Sequence, residues 1–306
     1  MGGTAIQGLL ADLSEAQAKL RQRADCNPAF VEHADALAKL EARISVRPRV
    51  VVLGESNAGK TSLTNLLLDQ TIVPESVIAN TRRPLVLRYA ETARLTGITC
   101  NGTIDLTVSD AGPHQTSNLR SLEACIPNPR LAAFDLVDTP GLSTSAQLGA
   151  LELRATDLVL WCTPATQAWK ESERRLWMSI PRRHHWDAIL VATHRDHLRD
   201  DGEMRRVCTR LATETVGCFR SIVLVCASAR GEARTGQQGD SGAAELDDRI
   251  EESLCAIAQR CHAAGYRLAN RIVRKALKRM ERPTAAAQVD GRVMRRFFGW
   301  RQGTTR

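Results

Sequence analysis

The apolar run Val50-Val51-Val52-Leu53 leads directly into Gly54-Glu55-Ser56-Asn57-Ala58-Gly59-Lys60-Thr61, and a helical pattern follows from Ser62 to Leu68. A continuous apolar run of this length reads as a strand buried on both faces. The string after it is G-x-x-x-x-G-K-[ST] between a strand and a helix, the setting that a phosphate-binding loop requires. Glycines let backbone N–H groups curl around phosphates, and the helix N-terminus adds the positive end of its dipole. In such a loop Lys60 supplies a point charge to the β- and γ-phosphates, and the Thr61 hydroxyl ligates Mg2+. Gly54, Glu55, Ser56, Asn57, Ala58, Gly59, Lys60, Thr61 and Ser62 are therefore the first candidate binding segment.

From Pro48 to about Ala229, short apolar runs alternate with helical segments. Examples are Leu85–Tyr89, Ala133–Val137, Asp157–Cys162, Ala188–Ala192 and Ile222–Cys226. That alternation predicts an α/β domain, a mainly parallel sheet with helices on both faces. Three short strings stand at strand ends. Asp138-Thr139-Pro140-Gly141 offers an aspartate for Mg2+ through water and a Gly141 N–H for the γ-phosphate. Thr193-His194-Arg195-Asp196 offers a carboxylate, Asp196, that accepts both the N1 and N2 protons of guanine, a pairing that adenine lacks. Ser228-Ala229-Arg230 offers the Ala229 N–H to the guanine O6. Each string is weak alone; their order along the carboxyl edge of an open sheet points to a guanine nucleotide. Thr193–Asp196 also reads as a plain strand-to-helix turn. His194, Asp196 and His197 stand too close together for a metal group, and no further ligand is evident. His184 and His185 read as a solvated loop near Pro181, and Trp161, Trp169 and Trp177 as packing residues.

The flanks have a different period. Residues 5–25 place Ile6, Leu9, Leu10, Leu13 and Leu20 at helical spacing. Asn27-Pro28 reads as an N-cap with proline in the first turn, opening a second helix to about Arg43. After a polar stretch from Gly231 to Gly242, a long helical pattern runs from Ala243 to about Arg282 and stops at Pro283. The expected organisation is N-terminal helices over 1–46, the nucleotide domain over 47–230, a linker over 231–242, a helix over 243–282 and a tail over 283–306. Both flanking segments carry apolar stripes, so they are expected to pack as a small helical bundle.

Net charge is +8, and it is concentrated: from Gly265 onward twelve Lys or Arg stand against only Glu281 and Asp290. Arg267, Arg271, Arg274 and Lys278 share one helix face, widened by Lys275, Arg279 and Arg282. Leu268, Ile272, Val273, Leu277 and Met280 form the opposite stripe, and Arg295-Arg296-Phe297-Phe298-Gly299-Trp300-Arg301 follows beyond Pro283. Clustered arginines with aromatics suit an anionic membrane surface, so residues 267–301 are a candidate membrane contact. Nucleic acid is the rival anion, though no RNA-binding module is recognisable. No stretch has the roughly 20 apolar residues of a membrane-spanning helix, and the N-terminus lacks the pattern of a secretory signal. Gly2 is followed by Ile6 where a myristoylation motif has Ser or Thr. The nine cysteines form no CxxC pair, which points to the reducing cytosol and away from a zinc site.

The segment PESVIANTRRPLVLRY, Pro74 to Tyr89, resembles the switch I segment of dynamin-family GTPases, and GESNAGKTSLTNLLL resembles the phosphate loops of bacterial dynamin-like proteins. The resemblance covers about residues 48–230. It implies a GTPase fold of the translation-factor-related class, binding GTP and GDP with Mg2+. It further implies that Thr81 is the switch I threonine, closing on Mg2+ beside Thr61 and Asp138 and fixing the attacking water. Leu142 stands where Ras-like proteins carry a water-orienting glutamine, in line with the dynamin habit of doing without one. Family members use the early phosphate loop, often Gln and Ser, with K+ or Na+ as a built-in charge; here Ser56 and Asn57 occupy those positions. Ser76, Val77 and Ile78 replace the glycines common in switch I, and His194 replaces the lysine that packs on guanine. On this resemblance Ser56, Asn57, Lys60 and Thr81 are the expected catalytic set, stimulated by pairing of two G domains. A nucleotide-controlled switch with little turnover and an RNA-associated GTPase are the alternatives.

Overall fold

The computed structural model describes residues 2–23, 29–69, 83–106, 119–226 and 241–280. Two compact units divide the chain, one comprising Met1–Val46 with Ala258–Arg306 and the other Arg47–Ile257.

In the first unit, α1 (Gly2–Gln22) and α2 (Ala29–Ile44) pack with the later turns of α7 (Ala243–Met280). Leu9, Leu13, Ala16 and Leu20 recur at steps of four, three and four, and Phe30, Ala34, Leu37 and Leu40 at steps of four, three and three. Ala269, Val273 and Ala276 complete the buried seam. Its alanines let the helices come close without loss of rotamer freedom. A polar clasp crosses the pair: the Glu41 carboxylate accepts from Ser14 Oγ at 2.7 Å and Gln17 Nε2 at 2.5 Å. The expected stripe on α7 is shifted, since Leu268, Ile272 and Leu277 are half-buried at the edge of the seam and the smaller alanines lie at its centre. Arg267, Arg271, Arg274, Lys275 and Lys278 face solvent. The earlier turns of α7, with buried Ala243, Leu246 and Ile250, belong to the second unit.

The second unit is built on a sheet of nine strands among the described residues, in the order β4-β3-β5-β2-β6-β1-β7-β8-β9. In chain order these are β1 (Arg49–Gly54), β2 (Leu85–Tyr89), β3 (Arg94–Thr99), β4 (Gly102–Leu106), β5 (Ser121–Ile126), β6 (Asp135–Asp138), β7 (Asp157–Pro164), β8 (Ile189–Thr193) and β9 (Ser221–Leu224). Helices α3 (Lys60–Leu68), α4 (Ser145–Gly149), α5 (Glu171–Met178) and α6 (Asp201–Glu214) connect them. Strands β6, β1, β7, β8 and β9 run parallel. β2 pairs antiparallel with β6 and parallel with β5, while β3 runs antiparallel to both β4 and β5. The mainly parallel α/β sheet is thus present, with an antiparallel wing that the apolar runs alone do not reveal.

Val50 to Leu53 are all buried, as a strand covered on both faces must be. Trp161, Trp169 and Trp177 are core residues: Trp177 meets Trp161 edge-on at 5.6 Å and lies 4.2 Å from Phe219. The two neighbouring histidines correct the solvated-loop reading. His184 is buried, and His185 stacks on Trp177 at 4.7 Å. A 3-10 turn over Arg182–His184 folds the rings inward, and burial holds both imidazoles below their ordinary pKa. The eight described cysteines are free thiols.

At the start of the central strands, Arg49 grips Asp157 through Nε at 2.9 Å and Nη2 at 2.6 Å, with the Asp157 side chain wholly buried. Removing one partner of such a pair strands the other charge, typically at about 3–5 kcal/mol. Asp157→Ala should therefore lower the unfolding free energy of the sheet unit by about 3–5 kcal/mol in a denaturant titration. A loss below about 1 kcal/mol would show that the Arg49 guanidinium is rescued by water.

Candidate functional site

Parallel strands deliver their carboxyl ends to one edge, and the strands that follow β1 in the chain lie on both sides of it. β6 is one neighbour of β1 and β7 the other, so a crevice opens at the end of β1, the place where open α/β sheets bind ligands. The register sets Val52 opposite Asp138, and Gly54 opposite Cys162. The loop between Gly54 and Lys60 folds tightly there: Asn57 has φ 61° and Gly59 has φ 76°, both left-handed. At Gly59 a side chain would also press on Thr193, with the nearest atom 3.1 Å from a Cβ. Leu63 N–H donates to the Gly59 carbonyl at 2.8 Å, so α3 starts at once.

Lys60 is 7% exposed, and its Nζ donates to the Glu55 carbonyl at 2.6 Å. Burial lowers its pKa, opposed by the nearby negative charge of Asp138. Cys162 lies close too, but burial pushes its thiol far up and keeps it neutral. Thr61 Oγ1 donates to Asp138 Oδ2 at 3.2 Å. Burial pushes the Asp138 carboxyl up to about 6 against the opposing effects of Thr61 and Lys60, and its Oδ1 is buried without a hydrogen-bond partner among the described residues. A carboxylate oxygen lacking a donor beside a threonine hydroxyl is the donor set that a hydrated divalent cation takes, so the residues fit Mg2+. No group of three or more His, Cys, Asp or Glu suited to a metal occurs among the described residues.

Two hydroxyls strap the loop to neighbouring strands. Thr139 Oγ1 donates to the Val52 carbonyl at 2.6 Å, and Thr193 Oγ1 to the Ala58 carbonyl at 2.9 Å. Thr193 Oγ1 also lies 3.0 Å from His194 Nδ1. His194 itself has φ 58°, a left-handed residue at the end of β8. The following 3-10 turn, Arg195–His197, carries Asp196 on an exposed rim. The Arg195 side chain runs to Met204 Sδ at 3.2 Å, away from the phosphate loop.

Ser56, Asn57, Gly59, Lys60, Thr61, Ser62, Asp138, Gly141 and His194 line one cleft of about 760 Å³. Gly54, Glu55 and Ala58 contribute backbone behind it. Thr139 and Pro140, from the string that Asp138 opens, line it as well, and so do Arg83, Leu85, Ser143 and Gln147, which went unrecognised in the sequence as site residues. For Gln147 a signal existed, the T-x-x-Q spacing of a helix capping box. Leu142 is buried in the core and its N–H donates to the Gly54 carbonyl at 3.0 Å, so it presents no polar side chain to the cleft. Thr81, Ser228, Ala229 and Arg230 lie outside the described residues, as do Asn27-Pro28, most of the 231–242 stretch and the 283–306 tail. The end of that stretch is described: Ser241 O accepts from Cys226 N–H at 3.0 Å, just past β9.

Gly141 approaches the loop most closely. A Cβ there would stand 2.2 Å from Ser56 Oγ, 2.7 Å from Ser56 Cα and 2.9 Å from Ser56 N. Because two of these are backbone atoms, Gly141→Ala must displace one side of the cleft. Its nucleotide affinity should fall at least about tenfold, checked by equilibrium titration, with Tm close to that of the parent because the change lies at the cleft rim.

Residues 50–194 match the model of the dynamin family. The chain is 30% identical over 133 residues to Dynamin-like protein 2 of Campylobacter jejuni subsp. jejuni serotype O:23/36 (strain 81-176), covering 40% of this chain and 22% of that protein. Two solved chains described as an oligomerised bacterial dynamin pair, with a mechanism for long-range sensing and tethering of membranes, share the fold. One superposes with TM-score 0.57 at 18% identity and the other with 0.59 at 19%, over 76% and 75% of this chain. The chain spans 38% of each of those, and a smaller share of the curated relative. Family match and sequence relative agree: residues 50–194, just under half of the chain, are similar to the G domain of bacterial dynamin-like proteins, and the solved chains share its fold.

Proposed function

We propose that this chain binds GTP with Mg2+ and hydrolyses it to GDP and phosphate. The observation that carries the reading is the buried Lys60 ammonium facing Asp138 and Thr61 across a glycine-floored cleft at the end of β1. In phosphoryl transfer the protein's task is positioning and charge neutralisation. Lys60 and the loop N–H groups hold the β- and γ-phosphates. Thr61 and Asp138, joined by Thr81, would hold Mg2+, which would offset the charge that develops on the phosphates. Asp196 and Ala229 read guanine, with the His194 ring against the base, and Ser228 and Arg230 complete that loop. Ser56 and Asn57 act at the transferring phosphate, with K+ or Na+ as an auxiliary charge.

Pairing of two G domains is the proposed source of stimulation. The oligomeric bacterial dynamins that share the fold support that reading, as their membrane tethering supports a membrane role. The proposed location is the cytoplasm with peripheral attachment through residues 267–301, and the domain division is that given by the sequence. The exposed basic face of α7 supports the attachment. No helix among the described residues is long and apolar enough to cross a membrane. A second reading, a switch with little turnover, draws on the burial of Leu142.

Lys60→Ala should abolish GTP binding, and Thr81→Ala should spare binding but reduce hydrolysis at least about tenfold. ATP that competes as well as GTP would defeat the guanine assignment. Specific activity rising with protein concentration supports stimulation by pairing; a flat, slow rate favours the switch. Deleting residues 283–306 should weaken pelleting with anionic liposomes while GTP affinity holds, and equal pelleting would remove the tail from the membrane contact.

A further inference from the structure

Leu142 presents no polar side chain directly after Gly141, but Ser143 and, from α4, Gln147 line the cleft beyond it. Gln147 is the third residue of that helix, and its side chain folds back over the helix start. Its Oε1 accepts from Ser143 N at 2.8 Å, Ser143 Oγ at 3.0 Å and Thr144 N at 3.2 Å. Thr144 Oγ1 accepts from Gln147 N at 3.3 Å in return, closing a capping box. Backbone N–H groups only donate, so two of these contacts fix which end of the amide is oxygen. The other end, Nε2, carries two protons, and Gln147 lines the same cleft as Lys60, Thr61, Asp138 and Gly141.

We propose that Gln147 Nε2 donates a hydrogen bond to the terminal phosphate of a bound nucleoside triphosphate, and that the capping box is the clamp that aims it. The inference rests on the nucleotide reading and sharpens it: a donor to the terminal phosphate separates triphosphate from diphosphate. A side chain already held by three hydrogen bonds loses little freedom on engaging the phosphate. A bond to an anionic oxygen is also stronger than one between neutral groups.

Capping and phosphate contact are separable by one substitution. Gln147→Glu keeps an acceptor for the two backbone N–H groups, because Glu serves this box as well as Gln, and it removes the amide protons. Affinity for a non-hydrolysable GTP analogue should fall at least about tenfold, as for loss of a hydrogen bond to a charged group, while GDP affinity stays within about twofold. An unchanged ratio of the two affinities would overturn the proposal and leave Gln147 a helix cap. A second readout is the Gln147 side-chain NH2 resonance, assigned by its loss in the variant. It should shift with the analogue and stay in place with GDP; a resonance indifferent to the analogue overturns the contact. A parent chain that binds neither nucleotide would defeat the nucleotide reading, and the contact with it. Binding of both by the parent, with an unaltered ratio in the variant, defeats the contact alone.

Discussion

A buried ammonium needs acceptors and an opposing charge, and the architecture around Lys60 supplies them. Desolvation works against both Lys60 and Asp138, and each partly relieves the other. That relief exists only because the parallel register of β1 and β6 sets Val52 level with Asp138. The Glu55 carbonyl, the Thr139 strap and the Thr193 strap then hold the loop in the one shape that keeps the ammonium satisfied. A loop that relaxed would leave a charge buried without a partner, which costs far more than any one of these bonds contributes.

The centre of the sheet was legible in the sequence, and its antiparallel wing was not. β1, β7 and β8 are covered on both faces, so their apolar runs are unbroken and they stand out. β4 has almost no buried residue, and β3 only one, so neither has the run or the clean alternation that marks a strand. Their hairpin did leave a mark in Asn101-Gly102, where Gly102 takes φ 136° and Thr99 pairs with it across the turn. Lys60 and Asp138 were readable because their identity is set by chemistry. Arg83, Ser143 and Gln147 were not, because they reach the cleft through chain geometry instead of a fixed motif.

The histidines at 184 and 185 show the same limit from another side. Two adjacent imidazoles beside a proline and two arginines read as polar loop, yet one turn of 3-10 helix is enough to bring them against Trp177. Helix α7 shows it again. Its apolar spacing identified a buried face, but the small residues Ala269 and Ala276 carry the seam, because close helix approach favours alanine over the larger side chains beside them.

The placement of β1 between β6 and β7 governs how the molecule can be made. β1 leaves the ribosome before either neighbour, since its two edges are covered only by strands that begin at Asp135 and Asp157. At ordinary rates of synthesis that interval lasts roughly ten seconds. Through it Val50 to Leu53 form an unpaired, fully apolar strand edge, the kind of segment that joins to other chains. Parallel pairing over such sequence distance is slow by nature, since the loop must close before any contact rewards it. The strand that anchors the phosphate loop is therefore also a segment open to aggregation during biosynthesis until β7 arrives.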